Sequence, residues 1–141
     1  CIRDRDWRVA KNIFVARDMP TARRYARGEG SPYVLYYKQL LTKMRAGGRL
    51  NLFKEDQDMP DEEVTLDYVL DRLVIYGDVE SVTDQILAFH EYVGDFGQLV
   101  YAGHDWTDYE LGRESMILMA EQVMPRVNRA LGDGARKAVA G

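Results

Sequence analysis

Residues 74–102 read VIYGDVESVTDQILAFHEYVGDFGQLVYA, and this stretch decides the fold class. Val74-Ile75-Tyr76 is a very short apolar run ended by Gly77. Asp78 then offers an acceptor side chain to the free amides of a helix start, and Gly94 stands where that helix stops. Between them Val82, Ile86, Phe89 and Val93 recur at helical spacing and line one face. Gln98-Leu99-Val100-Tyr101-Ala102 follows, nearly continuous in apolar character, as suits a strand buried on both faces. Strand, helix and strand in this order make a parallel βαβ unit.

Upstream, Trp7 to Ala16 (WRVAKNIFVA) is rich in β-formers, with Val9, Ile13 and Val15 on one face of a strand. Asp18 caps a short helix with Pro20 in its first turn, running to about Arg27 before Gly28 and Gly30. Ser31-Pro32 is a second start signal, after which Val34, Tyr37, Leu41 and Met44 form an apolar stripe that Gly47-Gly48 ends. Residues 51–64 carry Glu55, Asp56, Asp58, Asp61, Glu62 and Glu63, the pattern of a solvated surface excursion outside the core. Thr65 opens a short helix to about Arg72. Downstream, Asp108 caps a helix to about Met124, with Leu111, Ser115, Leu118 and Gln122 on one stripe and Met119 and Val123 beside it. From Gly132 the residues are small and polar, which predicts a frayed tail.

The totals exclude several function classes. The chain has 141 residues, 46% hydrophobic and 30% charged, the balance of a soluble globular protein. A net charge of −4 argues against nucleic acid as the main partner, and Arg23, Arg24 and Arg27 read as a solvated helix face. The single cysteine makes no internal disulfide, no Cys/His spacing suggests zinc, and the cytoplasm is the default compartment. No apolar run approaches the roughly 20 residues of a membrane span, and the first residues lack the pattern of a signal peptide. The chain opens on Cys1, without an initiator Met, as expected of a segment that begins inside a longer protein. Three strands leave two open edges, so the choice lies between a small α/β domain and a slice of a larger sheet or barrel.

Four segments, taken in order, resemble the bacterial-luciferase-like flavin-dependent monooxygenases. Trp7 to Ala16 with the following A-R-D-x-x-T-A-R is similar to their sixth strand and its helix. Residues 74–82 resemble the opening of their seventh βα unit, and residues 96–106 their eighth strand and the loop after it. Ser115 to Arg126 matches the closing-helix pattern S-M-x-L-x-A-E-x-V-M-P-R. The resemblance implies an α/β fold that is the C-terminal part of a (β/α)8 TIM-type barrel. About the last three βα units are present, too few to close a barrel that takes roughly 250 residues. It implies one segment over residues 1–131, with 28–64 as the insertion before the seventh strand and 132–141 as a disordered tail. It also implies reduced FMN from a separate NAD(P)H-dependent reductase, oxygen, a small organic substrate, homo-oligomers of the full-length protein, and an inactive isolated chain. The principal flavin site is expected upstream. Two alternatives stand beside it: a deazaflavin-dependent hydride-transfer enzyme of the same superfamily, and a non-catalytic α/β module docking through the helix Tyr33 to Met44.

Barrel chemistry sits at the C-terminal strand ends. There His104 can donate a hydrogen bond or move a proton near neutral pH, while Trp106, Asp105 and Tyr76 can wall a substrate pocket. The same residues also suit a structural role, His104 and Asp105 closing the loop and Trp106 covering the rim. His90, on a helix, reads as structural, and Asp78 as an ordinary cap whose charge repels phosphate.

Overall fold

The computed structural model describes residues 7–104 and 106–139, the last seven by their backbone path alone. Strand β1 (Arg8–Val15) is followed by helices α1 (Met19–Arg27), α2 (Pro32–Ala46) and α3 (Leu66–Leu73). Then come β2 (Val74–Gly77), α4 (Val79–Val93), β3 (Gln98–Ala102), α5 (Tyr109–Leu118) and α6 (Met124–Val139). The helices begin where local chemistry dictates. Asp18, Ser31, Thr65, Asp78 and Asp108 each accept a backbone N–H from the first turn of α1 to α5 respectively.

All strand pairs are parallel and the order is β2-β1-β3. The first strand is therefore central. Its partners are offset: β3 pairs from Arg8↔Gln98 to Asn12↔Ala102, and β2 from Asn12↔Val74 to Val15↔Gly77. Three successive barrel strands would instead stand in chain order with their helices on one side. Here the chain reverses direction at β1, and helices cover both faces of the sheet.

Alternate residues of the strands feed the two cores. Phe14, Ala16 and Val74 pack with Ala22 and Tyr25 of α1, Tyr33, Tyr37 and Leu41 of α2, and Val69 and Leu70 of α3. Ile13, Val15 and Ile75 pack against Val82 and Ile86 of α4, Leu118 of α5 and Val127 of α6. Each fully buried side chain of this size contributes roughly 1.5–3 kcal/mol of apolar transfer. The cover is unequal, however. On the α1–α3 side only the C-terminal half of β1 is roofed, and Arg8, Ala10, Gln98 and Val100 remain exposed. Strand β3, which reads as fully buried, is thus an edge strand with Val100 43% exposed.

Four further expectations are corrected. The excursion is not wholly solvated: Val64 is buried, Lys54 pairs with Asp61 at 2.7 Å, and Arg72 pairs with Glu55 at 2.6 Å, folding the acidic segment onto α3. Arg27 is no solvated cation. Its guanidinium bonds Asp67 and Asp71 and lies over the Tyr76 ring, tying α1 to α3 and β2. The docking face proposed for α2 is spent internally, since Tyr33, Tyr37 and Leu41 belong to the core. The helix after Asp108 passes through a π turn at Met119–Val123 and runs on to Val139. That turn carries the buried stripe to Val123 and Val127 and leaves Gln122 exposed. Gly132 and Gly134 therefore lie within this helix, each at a cost of roughly 1 kcal/mol relative to alanine.

Beyond Asn12↔Ala102 the edge of β1 that faces β3 has no strand beside it, and side chains take over. The Val15 amide donates to Ser115 Oγ at 2.8 Å, and the Tyr33 hydroxyl donates to the Ile13 carbonyl at 3.1 Å. Tyr101 Oη lies 2.9 Å from the same Ser115 oxygen. Ser115 is wholly buried, so Ser115→Ala strands an amide with no solvent to replace the lost partner. The expected cost is about 1–3 kcal/mol in urea denaturation, against about 1 kcal/mol for Tyr101→Phe, which keeps the amide bond. Equal losses for the two variants would contradict this reading of the junction.

Candidate functional site

The chain reversal at β1 has a consequence for ligands. In open α/β sheets a crevice forms outside the carboxyl ends of strands whose connections run in opposite directions, and ligands bind there. Here that end carries Ala16 to Asp18 after β1, and the stretch 103–108 after β3. His104 and Trp106 stand on the second of these.

His104 is held by α2. Its imidazole lies 4.3 Å from the Tyr36 ring at 30°, and meets Tyr33 and Tyr37 edge-on at 5.5 and 6.5 Å. Tyr33 and Tyr37 are themselves anchored on β1, Tyr33 to the Ile13 carbonyl and Tyr37 through its hydroxyl to the Asn12 amide group. Trp106 folds back on α5, making an edge contact with Tyr109 at 5.7 Å. Gly112 permits this: a Cβ there would lie 2.3 Å from the indole. His104 and Trp106 line one open groove of about 520 Å³, together with Tyr101, Gly103 and Met116. The pair expected from the sequence is thus brought together.

The remaining sequence candidates divide. Tyr76 lies away from that groove, beside Arg23, Arg27, Asp67 and Asp71, with Arg27 over its ring. It walls a second, separate groove of about 530 Å³, where Arg27 bridges to Asp67 and Asp71. Asp105 lies outside the described residues. His90 packs on Phe96 at 5.1 Å and sits 3.6 Å from Asp95 on α4, a structural place. Asp78 caps α4 through the Ser81 amide. Among the described residues no cluster of His, Cys, Asp or Glu has the form of a metal cage, and no helix is long and apolar enough to cross a membrane.

Sequence reasoning missed the tyrosines. Tyr25, Tyr33, Tyr37 and Tyr101 converge under the loop, and burial pushes every one of these hydroxyls above the ordinary 10.0. Neighbouring tyrosines reinforce the rise at Tyr33, while bonds to Asn12 and Ser115 oppose it at Tyr37 and Tyr101. They therefore serve as neutral donors at physiological pH. The signal available was the run Tyr33-x-x-Tyr36-Tyr37, which puts three rings on adjoining helix positions.

Two predictions follow from these contacts. Because each folded-state tyrosine holds its proton above the unfolded value, its stabilisation is complete below pH 10 and declines as pH rises further. Lys11, lowered by burial, acts with the opposite sign just below its ordinary 10.5. Denaturation midpoints should therefore fall steeply from about pH 10 to 11, with Tyr33→Phe removing about 1.4 kcal/mol per pH unit of that slope. A flat profile across that range would contradict the buried cluster. Gly112→Ala should displace Trp106 from α5, seen as a red-shifted indole emission, with a loss of about 1–3 kcal/mol from overpacking.

No family model matches the chain. It is 24% identical to the 3,6-diketocamphane 1,6-monooxygenase of Pseudomonas putida, over 84% of this chain and 32% of that protein. It is 28% identical to the limonene 1,2-monooxygenase of Rhodococcus erythropolis, over 90% of this chain and 30% of that protein. In structure it superposes on a type II Baeyer-Villiger monooxygenase, the oxygenating constituent of 3,6-diketocamphane monooxygenase from the CAM plasmid of Pseudomonas putida, solved with FMN. The TM-score is 0.70 at 23% identity, over 85% of this chain and 33% of that one. These relatives are luciferase-like flavin monooxygenases, so the resemblance read from the four segments is borne out. The chain spans about a third of the length of the relatives it matches.

Proposed function

We propose that the chain is the C-terminal part of an FMN-dependent monooxygenase that uses reduced flavin and oxygen to oxygenate a small organic substrate. The observation that carries this is the joint likeness, in sequence and in fold, to a third of two such enzymes. The bare half-face of the sheet supports the same reading. Arg8, Ala10, Gln98 and Val100 are exposed at the N-terminal end of β1 and β3, where a barrel would be filled by layers from other strands. In this reading β1 and β3 stand side by side in the barrel, and the short β2, expected from the sequence as the strand between them, lies instead on the other side of β1. The relative solved with FMN favours flavin over deazaflavin. A separate reductase, assembly into oligomers and a cytoplasmic setting complete the proposal.

The chain's residues suit one end of the flavin and not the other. Helices α1, α4 and α5 start with aspartate caps, which repel a phosphate, so the phosphate end belongs to the remainder of the protein. The aromatic groove at His104 and Trp106 suits a flat ring or an apolar substrate. Reduced FMN, when bound, supplies the electrons that activate oxygen. In that complex Trp106, Tyr101 and Met116 would line the groove, and His104 would be the group of this chain placed to hold or move a proton there.

The test is an anaerobic titration of reduced FMN into this chain and into the longer protein that contains it, followed by turnover of the latter. Binding by the longer protein alone is expected, and comparable binding by this chain would place the cofactor site within these residues. Failure of both to bind would sink the oxygenase reading. His104→Gln in the longer protein should lower kcat by about 10²–10⁴ with a smaller change in KM. An unchanged kcat would remove His104 from the chemistry.

A further inference from the structure

The apolar stripe of α2 is spent in the core, yet the same helix keeps a second face on its outer flank. There Leu41, Thr42 and Ala46 of α2 and Leu66 of α3 line an open groove of about 430 Å³, with Lys38 and Arg45 beside them. The Thr42 hydroxyl donates to the Lys38 carbonyl at 2.9 Å, so its polarity is turned into the helix and the floor is apolar. Arg45 is held by its bond to the Val64 carbonyl at 3.2 Å. Helix α2 carries Lys38, Lys43 and Arg45 and not one acid. Lys38 and Arg45 are exposed, and among the described residues neither meets a carboxylate.

The complementary shape lies just past the end of this helix. Residues Leu50–Phe53 form a turn of 3-10 helix in which Leu50 is buried and Phe53 packs against the core. Leu52 is left facing outward, and at 69% it is the most exposed aliphatic side chain among the described residues. Glu55, Asp56 and Asp58 follow it on the surface. Arg72 holds Glu55, whereas Asp56 and Asp58 have no cationic partner among the described residues. None of these acids lines the groove, so the chain does not close the pair on itself. A lone surface leucine is ordinary. This one stands beside unpaired acids, on a chain that also carries an apolar groove flanked by unpaired bases.

We propose that this chain docks on a second copy of itself, Leu52 of each copy entering the α2–α3 groove of the other while Asp56 and Asp58 meet Lys38 and Arg45. A surface that holds both halves of a complementary pair closes through a two-fold axis, with each contact made twice. Only Gly47 to Asn51 separate the last groove residue of α2 from the knob, so both contacts lie near that axis. The charges steer the encounter and fix the register, and the leucine supplies the desolvated centre. One small knob on each side makes a weak interface, which fills as the concentration of chain rises. The inference does not depend on the oxygenase reading, and it gives a surface to the assembly proposed with it.

The test is sedimentation velocity of the chain from about 1 µM to about 1 mM, at low and at high salt. A monomer–dimer equilibrium that salt weakens is expected. Leu52→Ala should raise the dissociation constant roughly a hundredfold, about tenfold for each of the two contacts. Tyr92→Ala, which trims an exposed ring on α4, should leave it unchanged. The groove variant Lys38→Glu with Arg45→Glu should be monomeric, and so should the knob variant Asp56→Lys with Asp58→Lys, because each opposes like charges in its own dimer. Mixed in equal amounts the two should dimerise, since both contacts of the mixed pair join opposite charges. The proposal is overturned if the wild-type chain stays monomeric throughout, or if Leu52→Ala associates as wild type does. It is equally overturned if the two charge variants keep the wild-type circular dichroism and fail to pair when mixed. A monomeric chain that instead takes up an acidic, leucine-containing peptide would assign the groove to a foreign partner. No flavin is present, so these outcomes are separate from that of the FMN titration.

Discussion

A parallel strand must satisfy every backbone donor and acceptor on both of its edges, and β1 meets this demand with two partners that are each too short. Strand β3 covers its beginning and β2 its end. The uncovered groups opposite β2 fall to hydroxyls: Ser115 for the Val15 amide and Tyr33 for the Ile13 carbonyl. These two bonds do more than fill an edge. One fixes α5 to the sheet, and the other fixes α2. Since His104 rests on α2 and Trp106 on α5, the geometry of the candidate site is set by the hydrogen bonds that β1 lacks from other strands.

Much of the fold is legible in the sequence because its signals are local. An aspartate, serine or threonine before an amphipathic run caps a helix wherever the chain later goes, and all five such signals were read at the residues that do the capping. Strand order is another matter. Nothing near Val74 says that it lies on the far side of β1 from Gln98. That choice is made by packing of Val82 and Ile86 on one face and Val69 and Leu70 on the other. The apolar run 98–102 is misleading for the same reason, since an edge strand and a central one share a composition.

The site was half visible. A histidine and a tryptophan in a loop after a strand suggest chemistry, and the fold places both on one groove. Tyr76 belongs to the same kind of position, but β2 lies across β1 from β3, so its ring meets Arg27 of α1 and lies away from the groove. The tyrosines could not be found by spacing from His104, as they lie on a helix far upstream that only tertiary structure brings near. In the sequence only Tyr37 reads as part of an apolar stripe, and the structure sets Tyr33 beside it in the core. Val100 and Ala10 stay in the open at the end of the sheet that α1 to α3 leave uncovered.

The π turn at Met119–Val123 bears on how many residues the last helices need. A π turn accommodates one residue more than an α turn, and each residue rotates the following helix by about 100°. Shortening the chain by one residue at this point would remove the extra residue and wind the turn back to α geometry, with Leu118 and Val127 keeping their buried faces. The same residues wound as a plain α-helix would instead turn Val127 about 100° away from α4 and carry the exposed Arg126 toward Ile86 and Val82. The π turn therefore marks the place where this helix can lose one residue without losing its core face, and descendants of this chain that are one residue shorter here should still bury Val127.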